Sequence, residues 1–285
     1  MKSKDALGDR MKLCFEDRSK NYLTRKTPVI LRLDGKCFSS FCKRFEKPFS
    51  QDLNDTLNKA MVYLCSNIQG AKMAERHSDE ISILITDYDT LNTDSYFDYS
   101  VQKICSITAS MAGTEFCRQL IILENARMYE CNKSANSREE LIERCEWQKN
   151  HILSMDEKWP VFDARCFNIP EHDIPNYFLW RNQDSVRNSI NMHAQSLFSH
   201  KELIGKNCDQ MQEIMFQVHG FNWNDLPQER KTGFFCIKEK IEKEIEKGPK
   251  KGEKYFRSSW SVIPAPKKVE EIRIVVTESI NRLEK

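Results

Sequence analysis

Two short carboxylate-bearing stretches hold the residue types best suited to chemistry. Asp34 and Gly35 lie at the end of an apolar run, and Asp79 lies in a polar tetrad, residues 77–80, between two strand-like segments. Two carboxylates placed together repel each other, which raises one pKa unless a cation lies between them. Mg²⁺ is a hard cation that takes one or two carboxylates together with phosphate and water. If the two stretches meet in space, they would form a metal site.

Such a site would serve phosphoryl transfer, because two Mg²⁺ ions about 3.5–4 Å apart can clamp the attacking and leaving oxygens. Gly35 would allow close backbone approach and could offer its carbonyl to a metal. Lys36 and Lys47 are positioned to meet triphosphate charge, and Ser78 to hydrogen-bond it. Taken singly, each stretch is more often an ordinary solvated turn, and a lone His77 is more often structural than a ligand.

The spacing of apolar residues predicts the elements that would bring the stretches together. Between residues 27 and 169 these are a strand, a helix, two strands, a long helix and a strand (27–34, 50–69, 71–76, 81–86, 97–123 and 161–169). This is the split βαβ, or ferredoxin-like, order of an α+β fold with an antiparallel sheet. In that topology the exit of the first strand and the entrance of the third share one sheet edge. The sequence therefore predicts that Asp34 and Asp79 converge.

The remaining segments are predicted to extend this core. A helix over 6–19 precedes it, and the charged insertion 124–158 is predicted to be partly helical around 139–151. Beyond the core we expect two helices, a strand, an edge strand and a mixed tail (176–198, 199–218, 232–238, 255–266 and 267–285). The charge run 239–254 is interpreted as a solvated helix and loop, with an RNA-contacting arm as the alternative. The predicted division is a catalytic domain over 1–238, with a palm core at 27–169 and a helical part at 176–238, then a charged extension over 239–285.

Composition narrows the class of protein. The 285 residues are 40% hydrophobic, enough for a full core, and no apolar run approaches the roughly 20 residues that span a bilayer. The 11 cysteines include no Cys-x-x-Cys pair, which favours reduced thiols over a zinc or redox motif. With a polar N-terminus we expect a cytoplasmic protein with no membrane partner. The net charge of +2 neither requires nor excludes a nucleic-acid partner.

Four motifs resemble those of the tRNA-His guanylyltransferase family, the enzymes that add nucleotides in the 3′-to-5′ direction. They are RLDGKCFSSF with a following Lys-Pro (32–41 and 47–48), HSDEIS (77–82), WRNQDSVRNSI (180–190), and GFNWNDLP with KTG (220–227 and 231–233). The third motif lacks the His-Ile-Asn-Asn run of the eukaryotic branch, since residues 186–189 read VRNS. That departure favours the bacterial-type, guanylyltransferase-like branch, which repairs truncated tRNA 5′ ends on a template.

The resemblance implies a polymerase palm with added helices. It also implies two Mg²⁺ ions held by Asp34, the Gly35 carbonyl and Asp79, with the two aspartates catalytic. Residues implied to contact the nucleotide are those of the first two motifs (Asp34, Gly35, Lys36, Cys37, Phe38, Ser39, Lys47, Ser78 and Asp79). The Phe38 ring could stack on a base or pack in the core. Strand alternation turns Glu80 to the other face, which indicates a structural role.

The partners implied by the family are tRNA, ATP, GTP and other nucleoside triphosphates, within a homotetramer. Arg181, Arg187 and Asn188 are the RNA-binding candidates. The implied reaction activates a 5′-monophosphate with ATP or GTP, and the 3′-hydroxyl of an incoming nucleotide then attacks. Two other hypotheses stay open: an RNA-binding module with a decayed palm, and another palm enzyme such as a cyclase. The presence of both Asp34 and Asp79 argues against a decayed palm.

Overall fold

A computed structural model describes residues 5–134, 159–244, 252 and 254–281. Within these residues six strands form one sheet in the order β4-β1-β3-β2-β5-β6, and every neighbouring pair is antiparallel. The strands are β1 (Val29–Lys36), β2 (Ala71–His77), β3 (Glu80–Ile85), β4 (Val161–Asn168), β5 (Phe234–Glu244) and β6 (Lys254–Pro264). The four-strand order β4-β1-β3-β2 confirms the predicted ferredoxin-like palm.

One α-helix precedes the first strand, and the others lie between and after the strands. They are α1 (Ala6–Met11), α2 (Phe38–Phe41), α3 (Gln51–Asn67), α4 (Val101–Ser134), α5 (Ile174–Leu197), α6 (His200–Leu203), α7 (Cys208–His219), α8 (Glu229–Thr232) and α9 (Val269–Asn281). The helix predicted from Ser50 is confirmed, since the Ser50 hydroxyl accepts a hydrogen bond from the Leu53 amide at 3.3 Å. The long helix predicted from residue 97 instead begins at Val101, because residues 97–99 have positive φ angles. The partly helical segment predicted at 139–151 lies outside the described residues.

The two central strands, β1 and β3, are covered on both faces, which is why residues 29–31 and 83–85 form continuous apolar runs. Leu31, Leu33 and Ile83 belong to the cluster shared with α3 and α4. Ile30 and Leu84, which alternate with them, belong to a second cluster with residues of α5 and α9. Helices therefore cover the sheet on both sides.

The helix predicted over 199–218 is wrong as a single element. Ser199 and Glu202 do form the expected capping box, but α6 ends at Leu203. Gly205 then adopts a φ of 77°, and Asn207 starts α7 with a second capping box. The second cap supplies partners for the first amides of a new helix, so the chain breaks where a continuous pattern was expected.

The charge run after residue 238 is also different from its prediction. Residues 239–244 continue β5 and pair with β6 as far as Glu244 opposite Lys254, where a solvated helix and loop were expected. A ribbon with polar side chains on both faces has no burial alternation, so its strand character is hidden in the sequence. The edge strand predicted at 255–266 is confirmed by β6.

The C-terminal segment belongs to the sheet and its core. The division predicted at 238/239 runs through the middle of β5. The tail predicted as mixed contains α9, whose Ile272 and Val276 are buried in the cluster with α5. Among the described helices, none has both the length and the apolar character needed to cross a membrane.

Candidate active site

The pairing of β1 with β3 brings the two carboxylate stretches together. Leu33 lies opposite Ile81, so the residues that follow Leu33 run alongside the turn that precedes β3. A Cβ added to Gly35 would lie 2.7 Å from Oδ2 of Asp79. The backbone of Gly35 and the carboxylate of Asp79 are therefore in direct reach, as the strand order predicted.

The environment of Asp79 suits a bound cation. Burial raises the pKa of this carboxyl above its usual value, and the charge of nearby Asp34 raises it further. A hydrogen bond from the Ser78 side chain acts in the opposite direction. Ser78 has a φ of 49°, so the turn holds a non-glycine residue in the left-handed region. A positive ion between the two aspartates would relieve their repulsion.

The donor set fits Mg²⁺. In the ranges that the structure describes, no cluster of three or more His, Cys, Asp or Glu side chains is placed to hold a metal. The candidate ligands are two carboxylates and the Gly35 carbonyl, all hard oxygens. Such a set leaves positions for phosphate and water, which is how Mg²⁺ is usually held.

A cavity of about 550 Å³ opens beside this pair, a volume typical of small-molecule sites. It is lined by seven of the residues predicted to contact the nucleotide (Gly35, Cys37, Phe38, Ser39, Lys47, Ser78 and Asp79). Lys36 is exposed and is not among the lining residues. The predicted nucleotide contacts thus gather at one cavity, except for Asp34 and Lys36, which are not among its lining residues.

Sequence reasoning missed part of the cavity wall. Asn54 of α3 and Met192, Gln195 and Ser196 of α5 line it as well. The residues of α5 lie more than a hundred positions from the first motif, and their spacing carries no signal of its own. Only the packing of α5 against the sheet brings them to the cavity.

The Phe38 ring packs in the core, which is the second of the two alternatives left open for it. Only 3% of Phe38 is exposed. Its ring centroid lies 5.1 Å from that of Phe162 and 5.4 Å from that of Phe116. Phe38 therefore forms the floor of the cavity, where its ring is held by other aromatic rings.

Arg181, predicted to contact RNA, is instead a buried residue of α5. Its Nε lies 2.8 Å from Oε1 of Glu80, and its Nη2 lies 2.6 Å from Oδ2 of Asp184. Arg32 reaches the other oxygen of Glu80 at 2.6 Å. Glu80 thus joins β1, β3 and α5, in keeping with a structural role. With 3% of Arg181 exposed, its guanidinium has no free surface for RNA.

The other two RNA-binding candidates lie at the surface of α5. Arg187 is exposed and forms an ion pair with Asp184 at 2.9 Å. Asn188 is exposed and lines a small cleft that also includes Ser78. Both remain candidates, because they face solvent, and Asn188 shares its cleft with the carboxylate turn.

The palm sheet carries two carboxylates where β1 ends and β3 begins, and a cavity of nucleotide size lies beside them. This arrangement is typical of a palm-type nucleotidyltransferase. Residues 8–170, more than half of the chain, match the family model for tRNAHis guanylyltransferase, and the chain belongs to that family. The predicted family is confirmed, and the protein is a nucleotidyltransferase.

Solved structures and curated relatives agree with this membership. A bacterial tRNA(His) guanylyltransferase-like protein in complex with ATP has a TM-score of 0.75 and 35% identity, covering 98% of this chain and all of that one. One in complex with GTP has a TM-score of 0.71 and 34% identity, covering 97% of this chain and 100% of that chain. The tRNA(His) guanylyltransferase of Debaryomyces hansenii is 25% identical over 232 residues, 77% of this chain and 76% of that protein.

Proposed function

We propose that this protein adds nucleotides to tRNA 5′ ends in the 3′-to-5′ direction. In the first step an oxygen of the RNA 5′-monophosphate attacks the α-phosphorus of ATP or GTP, and pyrophosphate leaves. In the second step the 3′-hydroxyl of an incoming nucleoside triphosphate attacks the activated 5′-phosphate. That hydroxyl loses its proton, and the nucleoside monophosphate leaves. The observation that carries the proposal is the close approach of Gly35 and Asp79 beside the cavity, with the charge of Asp34 near enough to act on Asp79.

The residues of the cavity have distinct parts in this proposal. Asp34, the Gly35 carbonyl and Asp79 would hold two Mg²⁺ ions, which when bound neutralise phosphate charge and acidify the attacking hydroxyl. Lys47 and Ser78 line the cavity where a triphosphate would lie. The Phe38 ring, packed on Phe116, separates the cavity from the apolar core.

We further propose template-dependent repair of truncated 5′ ends, with or without G addition to tRNA-His. Residues 186–189 read VRNS where the eukaryotic branch has the run associated with tRNA-His. In addition, two structural relatives, of 35% and 34% identity, are bacterial guanylyltransferase-like proteins. The partners are then tRNA, ATP, GTP and other nucleoside triphosphates. We expect a cytoplasmic homotetramer, which mass photometry of the purified protein would test.

The test is incubation with full-length and 5′-truncated tRNAs, each with labelled ATP and GTP. We expect the truncated substrates to be extended to full length opposite the template strand. Asp79→Asn should abolish addition and leave the unfolding temperature near that of the wild type, because the change removes a metal ligand and keeps the shape. Full activity in Asp79→Asn would refute the site. Cyclic nucleotide formed from GTP alone would indicate a cyclase, and tRNA binding without turnover would indicate an RNA-binding module.

A further inference from the structure

Arg76, near the end of β2, is a buried cation in an uncommon setting. Only 1% of the residue is exposed, and its guanidinium lies 4.7 Å from the centre of the Phe234 ring. Among the described residues no carboxylate forms an ion pair with it. Its three hydrogen bonds all go to neutral oxygens. Nε donates to Asn58 Oδ1 at 2.8 Å, Nη2 to Asn54 Oδ1 at 3.0 Å, and Nη1 to the Ser78 carbonyl at 2.7 Å.

This arrangement is costly for folding. Burial lowers the pKa of Arg76 to about 9, and the charges of Asp55 and Asp79 only partly oppose that shift. A buried charge without an ionic partner is unfavourable, and a well-packed apolar side chain at such a position is often at least as stable. Packing alone therefore does not account for an arginine here.

The contacts of Arg76 join two parts of the site. Asn54 lies on the first turns of α3, which line the nucleotide cavity. Ser78 begins the turn that carries Asp79, and it does so in a left-handed conformation that a non-glycine residue rarely adopts. One planar guanidinium spans both parts, and its fixed fork of donors defines the distance between them. The turn and the cavity wall are thereby held as one unit.

We propose that Arg76 is a positioning residue that couples the nucleotide cavity to the metal-binding turn. By fixing Asp79 relative to α3, it lets the nucleotide and Mg²⁺ strengthen each other's binding. This inference rests on the proposed function for the identity of the two ligands. Arg76 touches neither substrate nor metal in this scheme, and it acts through the Ser78–Asp79 turn.

The test is a binding cycle that needs no turnover. ATP affinity is measured by calorimetry for the wild type, Arg76→Lys and Arg76→Met, each with Mg²⁺ and with EDTA. We expect Mg²⁺ to strengthen ATP binding in the wild type and this gain to fall about tenfold in both variants, with affinity in EDTA unchanged. Arg76→Lys keeps the charge but lacks the fork, so its failure to rescue would identify geometry as the cause. Hydrogen exchange of the amides at 77–80 should become faster in both variants.

Lys72→Met is the matched control. Lys72 is a buried cation on the same strand, at the end of β2 away from the Ser78–Asp79 turn, and its Nζ lies 2.7 Å from Asp89. The Lys72→Met change should lower the unfolding temperature without changing the effect of Mg²⁺ on ATP binding. If Arg76→Met does not fold, Asn58→Ala replaces it, since this change removes one acceptor and should give a smaller loss of the same kind.

Two results would overturn the inference: a wild-type Mg²⁺ gain in Arg76→Lys together with unchanged exchange at 77–80, or an equal loss in Lys72→Met. The outcome is separate from that of the proposed function. A wild type that binds ATP with Mg²⁺ but extends no RNA would refute the function, and the binding cycle would still decide the part played by Arg76.

Discussion

Gly35→Ala tests how closely the backbone and the Asp79 carboxylate approach each other. The added methyl carbon would lie 2.7 Å from Oδ2 of Asp79 and 2.3 Å from Cδ2 of Phe38. The Phe38 ring cannot rotate away, because it packs between the rings of Phe116 and Phe162. Gly35 is not among the residues with positive φ, so the strain is steric rather than conformational. The backbone of residue 35 must therefore shift away from the ring, and the Asp79 carboxylate must move to clear the added methyl group.

The structure sets the size of the effect. The contact with Asp79 is well short of ordinary van der Waals contact, which begins at 3.4 Å, so relief requires a shift of several tenths of an ångström. Misplacement of a reacting group by about 1 Å can cost about 100-fold in rate. Overpacking of this kind destabilises the fold by about 1–3 kcal/mol. We expect a loss of about 100-fold in kcat/KM with a protein that still folds.

The assay is steady-state addition to a truncated tRNA, with thermal unfolding measured on the same samples. Gly113→Ala is the matched control, because its added carbon would meet no atom closer than 3.9 Å and it lies within α4. Alanine is favoured over glycine in a helix by about 1 kcal/mol, so this variant should be slightly more stable and fully active. Wild-type kcat/KM in Gly35→Ala would refute the geometry assigned to the metal-binding edge.

Three further predictions concern groups around the site. Glu75 is buried with no hydrogen-bond partner for either carboxylate oxygen among the described residues, and burial raises its pKa well above 4.5. The folded protein keeps this proton and the unfolded chain releases it, so the free energy of unfolding falls above pH 4.5 by about 1.4 kcal/mol per pH unit. Glu75→Gln should remove that slope in urea titrations and be the more stable protein at pH 8; an unchanged slope would refute this. ATP with Mg²⁺ should slow alkylation of Cys37, an exposed cavity residue, and leave exposed Cys14 unaffected; equal rates with and without ATP would exclude occupancy of the cavity. Arg181→Met should cost about 3–5 kcal/mol in urea unfolding, because it leaves Glu80 short of a buried partner, while the folded fraction keeps wild-type tRNA affinity. Weaker tRNA binding without a loss of stability would restore Arg181 as an RNA contact.

The strand order could be read from the sequence because each core strand has a clear local signal. Ile81, Ile83 and Ile85 alternate in β3, and Gly35 and the tetrad end the neighbouring segments. Once that order is known, topology alone places Asp34 near Asp79. The predicted convergence used the rule that, in an antiparallel pair, the end of one strand lies beside the start of the other. The close approach of Gly35 to Asp79 agrees with it.

What could not be predicted depends on contacts between distant segments. Arginine is a residue type that often contacts RNA. Only the packing of α5 shows that the Arg181 guanidinium is paired with Glu80 instead. The cavity residues Gln195 and Ser196 carry no motif. Residues 239–244, the outer half of β5, are mostly charged and exposed, so their pairing with β6 leaves no burial alternation to recognise. In each case the missing information is tertiary.

The sheet order also has a consequence for how the chain is completed during synthesis. The pairing of β1 with β3 is enough to bring Asp34 and Asp79 together, and both strands are available once residue 85 has left the ribosome. The cavity wall needs α5, whose residues 192–196 emerge much later. Synthesis runs from the N-terminus, so the segments of a domain become available for pairing in chain order. We therefore expect Asp34 and Asp79 to come together in the nascent chain before the cavity wall is complete and before Glu80 can pair with Arg181. Activity would then appear only when α5 docks, which makes docking of this helix the step that turns a folded sheet into an enzyme.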